Sequence, residues 1–213
     1  MKIFREVSLA DSFTVLNALL GLTALVYSIY DYEKCFAFFY FALIADGLDG
    51  WIASKTERGK LGKELDSLAD TISFAVFPAF LIALKHPELF AFSSLLLAFS
   101  ILRLARFNVL AVQDFIGVPT AVNAIMVSSL IRLDFPAEMV AIVVFVFSIL
   151  MISDFRYPKP RVTKLAPIGV LLILAIFYPE VCYLLILISL VYALYPGVRK
   201  CEKLLLRSRR ELS

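Results

Sequence analysis

The sequence is poor in charge. Asp, Glu, Lys and Arg together make up 18% of its 213 residues, where a soluble domain carries about a quarter. With 61% apolar residues and a mean hydropathy of +0.87, a soluble globule is excluded and a polytopic membrane protein is expected. Histidine is almost absent, His86 alone in a short loop, and Cys35, Cys182 and Cys201 have no metal-ligand spacing. That removes a His/Cys metal site, and the cysteines read as small buried apolar residues. No Ser- or Gly-rich linker and no internal repeat divides the chain, so residues 1–213 are expected to form a single domain. The first apolar run, Phe13 to Tyr30, is long and lacks a small-residue cleavage site, so it reads as a span rather than a cleaved leader. Net charge is only +3, and no nucleic-acid partner is expected.

What the chain has in abundance is apolar helix. Spans are expected at about 13–30, 36–55, 62–84, 89–110, 119–133, 136–153, 165–178 and 181–196, which makes an all-α integral membrane protein of about eight transmembrane helices. Met1 to Ser12, with Phe4, Val7 and Leu9 apolar and Lys2 and Arg5 basic, reads as a short interfacial segment. Charge placement tests this topology. With the N-terminus cytoplasmic, the inner segments hold Lys2, Arg5, Lys55, Arg58, Lys60, Lys63, Arg103, Arg106, Arg156, Lys159, Arg161, Lys164 and six basic residues from Arg199 onward. Only Lys34, Lys85 and Arg132 fall outside, the asymmetry expected of an even number of spans with both termini cytoplasmic. The basic, partly amphipathic tail over 199–213 reads as an anchor on anionic head groups.

One stretch stands apart, DGLDGWIASKTERGKLGKELDSLAD from Asp46 to Asp70. As helix, Asp46, Asp49, Gly50 and Ala53 fall at i, i+3, i+4 and i+7, on one face. Asp66 and Asp70 stand one turn apart on the next helix. Four carboxylates thus meet where two membrane helices enter water, on the cytoplasmic side of the cell membrane by the charge rule. Carboxylates at such depth face a wet cavity and have partners, and a hard divalent cation suits an all-oxygen cluster. Gly50 and Gly62 would let a ligand approach the backbone closely.

Asp46-x-x-Asp49-Gly50-x-x-Ala53, then Gly62-x-x-x-Asp66-x-x-x-Asp70, resembles the signature of the CDP-alcohol phosphatidyltransferases. Seven residues match at set spacings. Two features depart from the family pattern: Ser54 stands where an arginine is usual, and the connection to Gly62 is one residue shorter. Lys55 or Arg58 are the candidates for the missing positive charge. The resemblance implies a membrane-embedded transferase using two divalent cations, Mg²⁺ or Mn²⁺, that grip the diphosphate of a CDP-linked lipid. Carried over residue by residue, it makes Asp46, Asp49 and Asp66 metal ligands. Asp70 becomes the candidate general base and a possible bridge between the metals. Asn17, Gly50, Ala53, Gly62 and Ser67 fall on the nucleotide side. ELDSLADTISFAVFPA, RLARFN and Thr14-x-x-Asn17-x-x-x-Gly21 are similar to the phosphatidylserine synthase branch, whose alcohol is L-serine. An archaeal-type ether lipid could replace the diacylglycerol without changing the motif. These matches place the catalytic helices within 13–125 and leave 126–198 as scaffold. A homodimer, with CDP-diacylglycerol-type lipid and L-serine as substrates, is expected.

Several residues keep two readings. Arg103 and Arg106, at i and i+3, are either snorkelling anchors or guanidinium forks for a serine carboxylate or lipid phosphate. Asn17 and Asn108 read equally as interhelical hydrogen bonds or as nucleotide or serine contacts, and Asn108 or Asn123 would suit the serine ammonium. Thr14 and Ser67 are weaker signals. Rival functions are the same transfer to inositol phosphate or glycerol 3-phosphate, and an intramembrane prenyltransferase, whose Asp clusters lie farther apart in sequence. A cation transporter would need polar groups continuing to the outer side, where the helices here are almost wholly apolar.

Overall fold

The computed structural model describes residues 6–56, 59–110, 115–157 and 166–211, with side chains as far as Pro196. Nine α-helices account for nearly all of the described chain. They are α1 (Leu9–Tyr30), α2 (Tyr32–Ala53), α3 (Gly62–Asp70), α4 (Phe77–Lys85), α5 (Phe90–Val109), α6 (Thr120–Arg132), α7 (Ala137–Ile152), α8 (Ala166–Phe177) and α9 (Val181–Glu211). Four stretches are long and apolar enough to cross a membrane: α1, α2, the continuous α3–α4 rod over Gly62–Lys85, and α5 with the 3₁₀ turn that precedes it. Four shorter apolar helices follow.

The first helix is inside out relative to one in a soluble bundle. On α1, Asp11, Thr14, Asn17, Gly21, Ala24 and Ser28 are buried, while Val15, Leu19, Leu22, Val26 and Ile29 are exposed. In lipid there is no gain from hiding leucine. Packing is therefore decided by small residues that let backbones approach and polar ones that find partners on neighbouring helices. The α1 face packs along α2 and against α3 and the turn after it, and α5 packs on α7, α6 on α9 and α2 on α8.

Two local devices shape the bundle at the end where α2 stops and α3 begins. Between α3 and α4 the helix widens into a π turn, Thr71–Val76. Pro78 follows, which lacks an amide hydrogen and whose ring would meet the carbonyl four residues back in a regular α-helix. The wider turn absorbs that conflict directly after Asp70. The second device is a strap between α5 and α6. Its β1 (Phe115–Ile116) pairs antiparallel with β2 (Arg156–Tyr157), Phe115 opposite Tyr157 and Ile116 opposite Arg156. The amides of Gly117 and Val118 donate to the carbonyls of Phe155 and Leu150, and Arg106 on α5 reaches across to Asp154 at 2.5 Å and to the Ile152 carbonyl. The Tyr157 hydroxyl donates to the Ala193 carbonyl at 3.0 Å, which ties α9 to the same end of the bundle.

Several expectations shift. The segment expected to be interfacial as far as Ser12 enters α1 at Leu9, because Ser8 and Asp11 form a capping box. Ser8 N donates to Asp11 Oδ2 at 2.7 Å and Asp11 N to Ser8 Oγ at 3.2 Å. Lys2 and Arg5 lie outside the described residues, as do Arg58, Lys159, Arg161 and Lys164. The tail is not a separate element: α9 runs through Pro196 to Glu211. Arg132, counted among the outer-loop charges, is buried at the last residue of α6. It donates to Glu33 Oε2 at 3.0 Å and to the Ala175 carbonyl, with its guanidinium over Phe36 and Tyr40. Lys85 pairs with Asp134 at the same end, 2.8 Å away. Cys35 and Cys182 are buried free thiols.

Gly117 has φ +75°, and a Cβ there would stand 1.9 Å from the Met151 carbonyl oxygen. Gly117→Ala is therefore expected to destabilise the protein by about 2–3 kcal/mol. Gly169→Ala, on α8 with nothing within 4 Å, should cost nothing. Thermal unfolding in detergent reads both, and equal melting temperatures would refute the account of the strap.

Candidate active site

The site is built where α2 ends and α3 begins. One carboxylate oxygen each from Asp46, Asp49 and Asp66 lies within 4.8 Å of the others. Asp49 is buried, 2% exposed. Asp70, one turn beyond Asp66, lines the same cavity of about 460 Å³. Gly47 and Gly50 line it as well, and a Cβ at either would meet nothing within 4 Å. The absent side chains keep that wall open.

The first helix holds the carboxylates from behind. Thr14 Oγ1 donates to Asp49 Oδ2 at 2.6 Å, fully buried, and Asn17 Nδ2 donates to Asp70 Oδ1 at 3.4 Å. Asn17 is itself fixed, its carbonyl accepting from Ser73 Oγ in the π turn at 3.0 Å. The two helices come this close because Gly21 has no side chain: a Cβ there would lie 2.1 Å from Ser73 Oγ and 2.9 Å from its Cα.

Opposite the carboxylates, α5 and the strap close the cavity with Arg103, Leu104, Phe107, Phe115, Pro119, Thr120 and Ala121. Arg103 is 6% exposed. Its Nη1 donates to Thr120 Oγ1 at 3.4 Å, its guanidinium carbon lies 5.6 Å from the centre of the Phe115 ring, and its Nε is buried without a hydrogen-bond partner among the described residues. Acid and cation therefore share one chamber.

Of the residues singled out in the sequence, Asp46, Asp49, Asp66, Asp70, Gly50, Ala53, Ser67 and Arg103 line the cavity. Others are placed elsewhere. Asn17 stands behind Asp70, and Gly62 is buried in the first turn of α3. Lys55 lies over the Trp51 ring, 3.9 Å from its centre. Arg106 is engaged by Asp154. Asn108 Oδ1 accepts from Ser67 Oγ at 2.9 Å, and its carbonyl accepts from Lys63 Nζ. Asn123 is buried beside Met151, its Nδ2 3.3 Å from the sulfur. Sequence reasoning underrated Thr14 and missed Phe107, Phe115 and Thr120. Thr14 was visible as the residue one turn before Asn17 on the polar stripe of α1, whereas the strap residues carry no spacing signal.

These features define a helical membrane protein with an all-carboxylate, cation-ready site facing a buried guanidinium. Residues 7–195 match the model of the CDP-alcohol phosphatidyltransferase family, and the chain belongs to that family. It is 33% identical over 193 residues to the CDP-diacylglycerol–serine O-phosphatidyltransferase of Methanocaldococcus jannaschii, covering 89% of this chain and 92% of that protein. It is 36% identical over 169 residues to the archaetidylserine synthase of Methanothermobacter thermautotrophicus, covering 74% and 72%. A serine O-phosphatidyltransferase of Helicobacter pylori is 32% identical over 171 residues, covering 71% and 72%.

The Thr14–Asp49 hydrogen bond gives a direct test of the wall formed by α1. Thr14→Val keeps the shape and removes the donor, leaving Asp49 short of one partner, and should lower stability by about 1.5–3 kcal/mol. Thr14→Ser should retain most of it. Equal melting temperatures for Val and wild type would show that the bond does not hold the carboxylate.

Proposed function

We propose that this protein transfers the phosphatidyl group, or its ether-lipid counterpart, from a CDP-linked lipid to the hydroxyl of L-serine, releasing CMP. The observation that carries this reading is the single cavity in which the Asp46–Asp49–Asp66 cluster and Asp70 face the buried Arg103. The names of the three relatives support serine as the acceptor.

The donor set fits hard divalent cations: three carboxylates whose oxygens converge, with Asp70 next to them as a further donor. We assign Asp46, Asp49, Asp66 and Asp70 to two such ions, Mg²⁺ or Mn²⁺. Bound there, they would neutralise a diphosphate and stabilise the attacking and leaving oxygens of the transfer. The remaining work falls to the chain itself. Gly50 and Ala53 give the nucleotide diphosphate a wall without bulk, and Ser67 lies beside them. Asp70 takes the hydroxyl proton of serine as its oxygen bonds to the lipid-side phosphorus; the bond from that phosphorus to the bridging oxygen breaks, and its electron pair leaves with CMP. Asn17 anchors one oxygen of Asp70, so the other is aimed at the acceptor. Arg103 receives the serine carboxylate, a planar fork against a planar anion.

The site lies on the cytoplasmic side in this reading, with eight crossings, both termini inside, and a homodimeric assembly. In support of the topology, Asp46, Asp49, Asp66, Asp70, Arg103, Arg106 and Arg156 gather at one end of the bundle. Arg132, Lys85 and Lys34 lie at the other, each paired with an acid. In a cysteine-free background, an impermeant thiol reagent applied outside intact cells should label Glu88→Cys and miss Lys60→Cys. The reverse would invert the topology.

Activity is tested on purified protein with CDP-diacylglycerol and Mg²⁺ or Mn²⁺, offering L-serine, inositol phosphate or glycerol 3-phosphate separately. CMP release should occur with serine alone. Asp46→Asn, Asp49→Asn, Asp66→Asn and Asp70→Asn should each lower turnover by at least about a hundredfold, and the first three should also lose the metal-dependent rise in melting temperature. Normal turnover of Asp49→Asn would overturn the assignment.

A further inference from the structure

We infer that Thr120 is a positioning residue that sets acceptor specificity, by presenting the Arg103 guanidinium to the carboxylate of an α-amino acid acceptor, with Phe115 as its backing. This rests on the proposed transfer to serine and deepens it.

Arg103 is buried in a wall where Leu104, Phe107, Phe115, Pro119 and Ala121 are apolar and Thr120 supplies a hydroxyl. A guanidinium has five N–H donors in a fixed plane. Here one reaches a hydroxyl at 3.4 Å and the buried Nε has no partner among the described residues. Such a group has donors to spare for an incoming anion, and its orientation decides whether they form a fork. Thr120 is the side chain that fixes that orientation. It is 2% exposed, and its oxygen accepts from Nη1, so its own proton remains to be donated. Arg103 and Thr120 together therefore offer donors from two sides to one carboxylate. Phe115 limits the guanidinium on its face by a cation–π contact at 5.6 Å.

The position of this pair is set from outside the cavity. Thr120 opens α6 directly after Pro119, and Phe115 sits on β1 opposite Tyr157, whose hydroxyl is bonded to α9. Arg106, one turn beyond Arg103 on α5, joins Asp154 two residues before β2. Elements that carry none of the four site aspartates, α5, α6, β1, β2 and α9, thus hold the acceptor side of the chamber. An acceptor with a carboxylate satisfies Arg103 and Thr120 together. An acceptor in which an amide replaces the carboxylate leaves the guanidinium buried and unneutralised, which is the stronger source of discrimination.

The test compares L-serine with L-serinamide, which keeps the hydroxyl and the amine and lacks the carboxylate charge. Wild type, Arg103→Lys, Thr120→Val and Thr120→Ser are assayed by CMP release, varying each substrate in turn. Wild type should prefer serine, and Arg103→Lys, which keeps the charge and loses the planar fork, should raise the apparent KM for serine and narrow the preference. Thr120→Val, nearly isosteric, should raise the apparent KM for serine about five- to tenfold and narrow the serine-to-serinamide ratio by a similar factor. Its apparent KM for CDP-lipid should stay within about twofold, and Thr120→Ser should restore wild-type behaviour. If Arg103→Lys narrows the preference while Thr120→Val leaves it unchanged, the inference about Thr120 fails and the transfer to serine stands. If Thr120→Val raises both KM values alike, Thr120 is structural and the inference fails. If wild type does not use serine, the proposed function fails and this inference with it.

Discussion

Like charge gathered at membrane depth is the constraint on which this structure turns. Carboxylate oxygens within 4.8 Å of one another repel by on the order of 3 kcal/mol per pair, taking an effective dielectric of about 20. Asp46, Asp49 and Asp66 carry that repulsion together, with Asp70 one turn away. The fold answers with donors and with space. Thr14 and Asn17 reach the carboxylates from α1, Arg103 faces them across the cavity, and Gly47 and Gly50 leave the wall open for positive charge to enter.

The rest of the bundle follows from keeping these donors in place. Thr14 and Asn17 act only if α1 lies close, and α1 lies close because Gly21 lets it rest on the π turn. That turn exists where Pro78 would otherwise collide with its own helix. One irregularity thus both accommodates a proline and supplies Ser73 to fix Asn17. At the opposite end Lys34, Lys85 and Arg132 are each paired with an acid. Arg132 is wrapped by Glu33, a carbonyl and two rings.

How much of this was legible depends on whether a feature is local in the chain. The four aspartates and the helices that carry them are local: their spacing places them on facing surfaces, and the structure brings them to one cavity. The polar stripe on α1 is local too, since Asp11, Thr14, Asn17 and Gly21 recur at helical intervals, though what each touches is not written there. The strap is of another kind. Phe115 and Thr120 reach the cavity through a two-residue strand pairing and a left-handed glycine, set by α7 and α9 far along the chain. Residues beyond 125 therefore read as scaffold, although β2 and Tyr157 position one wall of the site. The π turn left no periodicity either, because a single widened turn does not change which residues are apolar.

Arg103 and Arg106 show how depth separates what spacing leaves equal. Three positions apart on one helix, they share a composition, a face and, from sequence, the same two readings. Arg106 is the nearer to the helix end and has an acid within reach; its charge is met by Asp154 and its side chain remains 36% exposed. Arg103 lies one turn deeper and is 6% exposed, and its described hydrogen bond is a long one to a hydroxyl. A buried cation so lightly partnered costs stability that a leucine at the same place would not. In the proposed reading that cost is offset when the acceptor's carboxylate occupies the chamber, the aspartates there being assigned to cations of their own. On that reading the deeper arginine is matched to a ligand that arrives carrying its own negative charge.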